Sequence, residues 1–235
     1  KLSSKVLEIG ESATFTVRPK TGILESSVDA IPIMFLGNGT PQAYVTLKIN
    51  IKYELIGRVR ASRLVPNKSY KVVGDTLVDL AEGDNVVLSQ IWSASDFDGT
   101  LTIAGEEKGK LSLTNGLRMQ GGDLIVEGGS INALSQGIVV KEDISIYRGH
   151  IESRGNRVLA STNGNVSITG GMLIGNGYGT GGEDAAVYAK EDLIISHCTV
   201  DLKFSSKYGL YAGKDAYITN DAFVLADCTF IPGDE

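Results

Sequence analysis

Gly137-Ile-Val-Val-Lys-Glu-Asp-Ile-Ser-Ile146, followed by Tyr147-Arg-Gly-His-Ile151, is a phrase that the chain repeats. Ala186-Val-Tyr-Ala-Lys-Glu-Asp-Leu-Ile-Ile195 and Gly209-Leu-Tyr-Ala-Gly-Lys-Asp-Ala-Tyr-Ile218 are close copies, and weaker ones begin at Gly116 and Arg157. The starts at 116, 137, 157, 186 and 209 give steps of 21, 20, 29 and 23 residues. A glycine-rich repeat of this length marks a solenoid, in which one unit cannot bury its own apolar face and stacking closes the core.

Aligning the copies gives each column a meaning. Leu117, Ile138, Val158, Val187 and Leu210 share one column, and Met119, Val140, Ala160, Ala189 and Ala212 share another. A second strand supplies Leu124, Ile144, Val166, Leu193 and Ala216, then Val126, Ile146, Ile168, Ile195 and Ile218. A third supplies Ile131, Ile151, Leu173, Val200 and Phe223. These apolar columns point inward, and each coil carries three short strands. The pattern predicts a parallel β-helix of about six coils over residues 96–235, right-handed by the usual crossover chirality. The leucine-rich-repeat spacing, the signature of a competing solenoid, is absent.

Composition divides the chain. Of 235 residues, 42% are hydrophobic, enough for a core, and no apolar run approaches a membrane span. Residues 1–95 carry a net charge of +2 and residues 96–235 one of −8. Glycine rises from 7 residues to 22 across that point, and four of the five prolines precede it. An acidic repeat region without basic clusters argues against nucleic acid and anionic membrane surfaces. Lys1 is not a natural initiator, so the numbering starts either after a removed targeting segment or at an artificial boundary, and the first of these would suit a secreted or cell-surface protein.

Residues 1–95 read as a small antiparallel β-sandwich preceding the helix. Val45, Leu47, Ile49, Ile51, Tyr53 and Leu55 alternate with polar residues, the period of a half-buried strand. Further strands are expected at Ala13–Arg18, Pro32–Leu36, Ser69–Val73 and Asn85–Trp92. Pro19-Lys-Thr-Gly22, Gly37-Asn-Gly39, Pro66-Asn67 and Glu82-Gly-Asp84 supply the turns. No catalytic pattern is visible there.

Within the repeats, Asp123, Asp143, Asn165, Asp192 and Asp215 share a turn column. It reads either as a cation ladder or, more plainly, as a set of turn caps bonding nearby backbone N–H groups. A second corner holds Gly128-Gly129, Arg148-Gly149, Gly170-Gly171 and His197-Cys198, where glycine suits a tight turn. The long step after 157 inserts Gly175-Asn-Gly-Tyr-Gly-Thr-Gly-Gly-Glu-Asp184. Its Asn176, Glu183 and Asp184 are hard oxygen donors suited to calcium, and Tyr178 offers a ring for a sugar. Tyr188 and Tyr211 stand outward in one column and either form a stacking platform or lie beneath a structural cover. His150 and His197, two coils apart, are too distant to share a metal. Cys198 and Cys228 read as a disulfide or as buried thiols.

The repeated wording resembles a family of secreted bacterial carbohydrate-binding β-helix proteins of the pectate-lyase-like, non-catalytic kind. Gly209-Leu-Tyr-Ala212, Val166-Ser-Ile-Thr-Gly-Gly171 and Asp98-Gly-Thr-Leu-Thr-Ile103 carry the likeness, over about residues 97–230. The resemblance implies calcium sites on coil turns and binding of a plant-type polysaccharide without cleavage. Two other readings stand beside it. A polysaccharide lyase or glycoside hydrolase would need convergent carboxylates or a basic proton acceptor. The outward Glu152 and Asp201, the cluster Arg148, Arg154 and Arg157, and the partial Arg148-Gly-His150 motif are its material. A structural or adhesive surface module would need no small ligand.

Overall fold

The computed structural model describes residues 31–37, 40–47, 53–155, 157–177, 185–204, 208–219, 221–226 and 229–232. Side chains are described from residue 53 onward, except at 177, 204, 226 and 229–232. The chain divides into two compact units, residues 1–50 and 51–235. In the first, β1 (Ile31–Gly37) and β2 (Thr40–Leu47) pair antiparallel, with Gly37 opposite Thr40 and a bulge after Phe35. The intervening sequence, Asn38-Gly39, is a pair favoured by tight hairpins.

The second unit is a parallel β-solenoid of about seven turns with almost no helix. Its first turns hold β3 (Glu54–Arg60), β4 (Ser69–Leu80), β5 (Asn85–Leu88), β6 (Gln90–Ser93), β7 (Thr100–Gly105), β8 (Lys110–Leu113) and β9 (Leu117–Met119). The middle holds β10 (Asp123–Ala133), β11 (Ile138–Val140), β12 (Ile144–Ser153), β13 (Leu159–Ser161), β14 (Val166–Ile168) and β15 (Gly171–Gly177). The last turns hold β16 (Ala185–Ala189), β17 (Leu193–Ile195), β18 (Cys198–Phe204), β19 (Tyr208–Ala212), β20 (Ala216–Ile218), β21 (Phe223–Ala226) and β22 (Thr229–Pro232). Each coil contributes to three faces. Face one runs through β6, β9, β11, β13, β16 and β19, and face two through β7, β14, β17 and β20 with the first halves of β10 and β12. Face three runs through β5, β8, the second halves of β10 and β12, β15, β18 and β21.

The face-two columns are those read from the sequence. Leu124, Ile144, Val166 and Leu193 align, as do Val126, Ile146, Ile168 and Ile195, and none of these side chains is more than 2% exposed. Burying each contributes about 1.5–3 kcal/mol, so face two is held by its own column.

Two registers differ from the alignment. Opposite Ile138 and Val140 stand Leu159 and Ser161, not Val158 and Ala160. Five residues rather than four separate the face-three strand from face one in this coil, and one extra corner residue shifts a period-two pattern by one. Ser161 tolerates the inward position because its Oγ donates to the Glu142 carbonyl and accepts from the Gly164 N–H. In the last coil Val224, not Phe223, stands opposite Val200, and Phe223 is 58% exposed.

The expected boundary near residues 93–99 is also corrected. β3, β4, β5 and β6 pair parallel with one another or with β7, β8 and β9, so residues 54–93 are the first coils of the same solenoid. A period of two does not distinguish antiparallel from parallel strands. The turns at Asn67 (φ 60°) and Gly83 (φ 85°) exist, but they join successive faces of a coil. The described residues before 53 form only the hairpin, and Ala13–Arg18 and Lys48–Lys52 lie outside the described residues.

Candidate functional site

The carboxylate column works between coils. The Asp143 N–H donates to Asp123 Oδ1 at 3.0 Å, the Asn165 N–H to Asp143 Oδ1 at 2.8 Å, the Asp192 N–H to Asn165 Oδ1 at 3.1 Å and the Asp215 N–H to Asp192 Oδ1 at 3.2 Å. In return, the N–H groups of Leu124, Ile144, Val166 and Leu193 donate to the carbonyls of Asp143, Asn165, Asp192 and Asp215. Each column residue is therefore bonded twice to the coil before it. The side chains do cap backbone N–H groups, but those of the next coil rather than of their own turn. The preceding Lys-Glu residues pair around the column. Lys141 lies 3.1 Å from Glu142, and Lys214 contacts Glu191 across one coil. The amide of Asn163, then Lys141, holds the Glu142 carboxyl below its ordinary value, and the hydrogen bond to Glu191 raises Lys214.

The corner between faces two and three is lined by Gly105, Gly128, Gly129, Gly149, Gly170 and Gly171. A Cβ on Gly128 would stand 2.3 Å from the Gly105 carbonyl oxygen, and one on Gly170 would stand 2.1 Å from that of Tyr147, so the corners stack too closely for side chains. The result is a trough running across the coils. One stretch encloses about 670 Å³ between Glu107, Lys110, Ser130, Arg148, His150, Glu152 and Met172. A second stretch of about 440 Å³ shares Glu107, Arg148 and Gly149, and reaches Glu82 and Lys108. Lys110, Ser130, His150 and Met172 are register partners in four successive coils, about 14 Å along the axis. The Arg148 Nε–H donates to the Glu127 carbonyl, which fixes the guanidinium at the trough edge.

The aromatic pair lies elsewhere, on face one. Tyr188 and Tyr211 are register partners whose rings stack at 5.0 Å, 4° from parallel. The Arg157 guanidinium sits over the Tyr188 ring at 5.2 Å. Both faces of Tyr188 are thus occupied by the protein. Farther along the face, the Lys71 ammonium lies 5.5 Å from the Trp92 ring.

Of the three residues expected to bind calcium, Asn176 is exposed on β15 opposite Lys203, while Glu183 and Asp184 lie outside the described residues, as does Tyr178. Among the described residues, no group of three or more His, Cys, Asp or Glu side chains is arranged to hold a metal ion. His150 faces the trough, whereas His197 forms a corner in the left-handed region (φ 49°), with Nε2 2.7 Å from Asp221. Asp221 also accepts from the Thr219 hydroxyl, and this bond first, then the His197 N–H, lowers its pKa. Cys198 is a buried free thiol raised by that burial, and Cys228 lies outside the described residues. The outward face-three column is Asn132, Glu152, Ile174, Asp201 and Leu225, so Glu152 and Asp201 stand two coils apart with Ile174 between them. Glu152 is paired with Arg154 at 3.0 Å and Asp201 with Lys203 at 3.9 Å.

No family model matches the chain, and no curated protein or solved structure is significantly similar to it. Among the described residues, no helix is long and apolar enough to cross a membrane. The trough is a feature that the column alignment did not predict. Its signal was present in the stacked glycines of the second corner, which align across coils as no single turn would require.

Proposed function

We propose that this is an extracellular protein that binds an extended, uncharged polysaccharide along the flank of its solenoid without cleaving it. The observation that carries this reading is the glycine-floored trough. It is open along the axis, as a linear polymer requires, and its walls mix carboxylates with ammonium, guanidinium and imidazole groups. Sugar hydroxyls both donate and accept. Glu107 and Glu152 supply acceptors, while Lys110 and Arg148 supply donors, without an excess of either sign. Cleavage is not part of the reading, because the two carboxylates of face three stand roughly 10 Å apart by coil spacing and each is already paired with a cation.

Calcium assistance, if the loop at 175–184 supplies it, is a separate property of that loop. In the described carboxylate column, as elsewhere among the described residues, no three His, Cys, Asp or Glu side chains are grouped to hold a metal ion. The test is retention on a panel of neutral and acidic glycans, with and without chelator. Arg148→Ala/Glu152→Ala is compared with Tyr211→Ala on another face. Retention on neutral glycans, lost in the trough variant and kept in Tyr211→Ala, is expected. Equal loss in both would move the site to the aromatic pair, and no retention on any glycan would leave a structural module.

A further inference from the structure

We infer that the solenoid stacks head to tail on further copies of this chain. Among the described residues, both ends of the parallel sheet carry a strand edge with no partner: β3 pairs only with β4, and β20, β21 and β22 pair only with β17, β18 and β19. An unpaired strand edge is a template for another strand.

The apolar columns run out at both ends. Ile218 is 42% exposed, although the four residues preceding it in its column are at most 2% exposed. On face three the inward Val224 is half-buried, although Val200 before it in the column is fully buried. At the other end Ile56 is 64% exposed, and Val59, which occupies the same column position as Ile218, is half-buried.

The two ends match in register, size and charge. β3 opens the face-two column and β20 closes it. Setting β3 of one copy beside β20 of another in parallel continues that column, with Gly57 beside Ala216 and Val59 beside Ile218, small against small and branched against branched. The leading coil, residues 53–68, carries Arg58, Arg60, Arg63 and Lys68 against Glu54 alone, with Arg58 paired to Asp79 of the next coil. Among the described residues of the trailing coil, 208–219 and 221–226, Asp215 and Asp221 stand against Lys214 alone. A basic head opposite an acidic tail favours this pairing and disfavours tail on tail. Such a contact is heterologous, so it propagates as an open chain rather than closing into a dimer.

The test is sedimentation velocity of the full chain over a wide concentration range, at low and high salt. A head-blocked variant, Ile56→Glu/Arg60→Glu, and a tail-blocked variant, Tyr217→Lys/Ile218→Lys in β20 itself, alter only exposed positions. The parent chain is expected to associate with concentration and less so in high salt. Each variant alone is expected to associate about tenfold more weakly or worse. Their equimolar mixture is expected to form a dimer and stop, because it holds one intact head and one intact tail. That pairing also shows that both variants are folded. A chain that stays monomeric throughout would overturn the inference. So would a head-blocked variant that associates like the parent, or a mixture that does not pair.

Discussion

Asp143 shows how much one side chain does in this fold. Its Oδ1 accepts two bonds from Asn165, one from the backbone N–H and one from the side-chain amide at 3.1 Å, and its own N–H is held by Asp123. Removing the carboxylate leaves a coil junction with one backbone donor unpaired. Asp143→Ala is expected to cost about 1–2 kcal/mol, measured by urea denaturation, since the site is exposed and water partly replaces the bond. Asp143→Asn is expected to cost much less, because it keeps an acceptor and Asn165 already fills the same role in the next coil. Equal losses would mean that charge rather than acceptor geometry holds the column. This column was legible in the sequence as a set of residues suited to capping backbone groups. What was not legible was which backbone each one caps, because spacing along the chain does not reveal how adjacent coils are phased. The same limit produced the slip at Val158, where a buried serine satisfied by its own hydrogen bonds took a place that composition alone assigns to alanine.

At the scale of the turn, glycine serves two different needs. Gly137 has φ +72°, and a Cβ there would stand 1.6 Å from the Arg157 carbonyl oxygen of the next coil. Gly83 has φ +85° and nothing within 4 Å of the same position. Gly83→Ala is therefore expected to cost only the left-handed backbone, about 1 kcal/mol. Gly137→Ala must also push two coils apart and is expected to cost on the order of 3 kcal/mol or more. Thermal melts of the two variants separate conformational strain from steric stacking, and similar losses would show that the coils have slack at this corner. The trough belongs to this scale too. It is formed by what the glycine corners lack, so chemically active residues alone do not reveal it, although Arg148, His150 and Glu152 stand on its walls.

For the whole molecule, the position of the boundary decides what folds independently. The glycine and charge contrast at residue 95 is real, but it reflects coils whose corners use Asn67, Gly83 and polar turns instead of stacked glycines, not a change of fold. The parallel pairing makes residues 51–235 one body, and in a solenoid each coil is stabilised chiefly by its neighbours. A fragment spanning 51–235 is thus expected to melt cooperatively, near the temperature of the full chain. A fragment spanning 96–235 would uncover Leu101, Ile103, Leu111, Leu113, Leu117 and Met119, all at most 1% exposed in the intact unit. Uncovering one side of six such residues forfeits about 5–9 kcal/mol, half of a burial figure of roughly 9–18. Because domain stability is typically about 5–15 kcal/mol, that loss is enough to unfold or aggregate the fragment. Circular dichroism melts and sedimentation of the two fragments decide the matter. If residues 96–235 gave a soluble, cooperatively melting monomer, the first two coils and β6 would be a separable cap, and the composition break would mark a true folding boundary inside a continuous sheet.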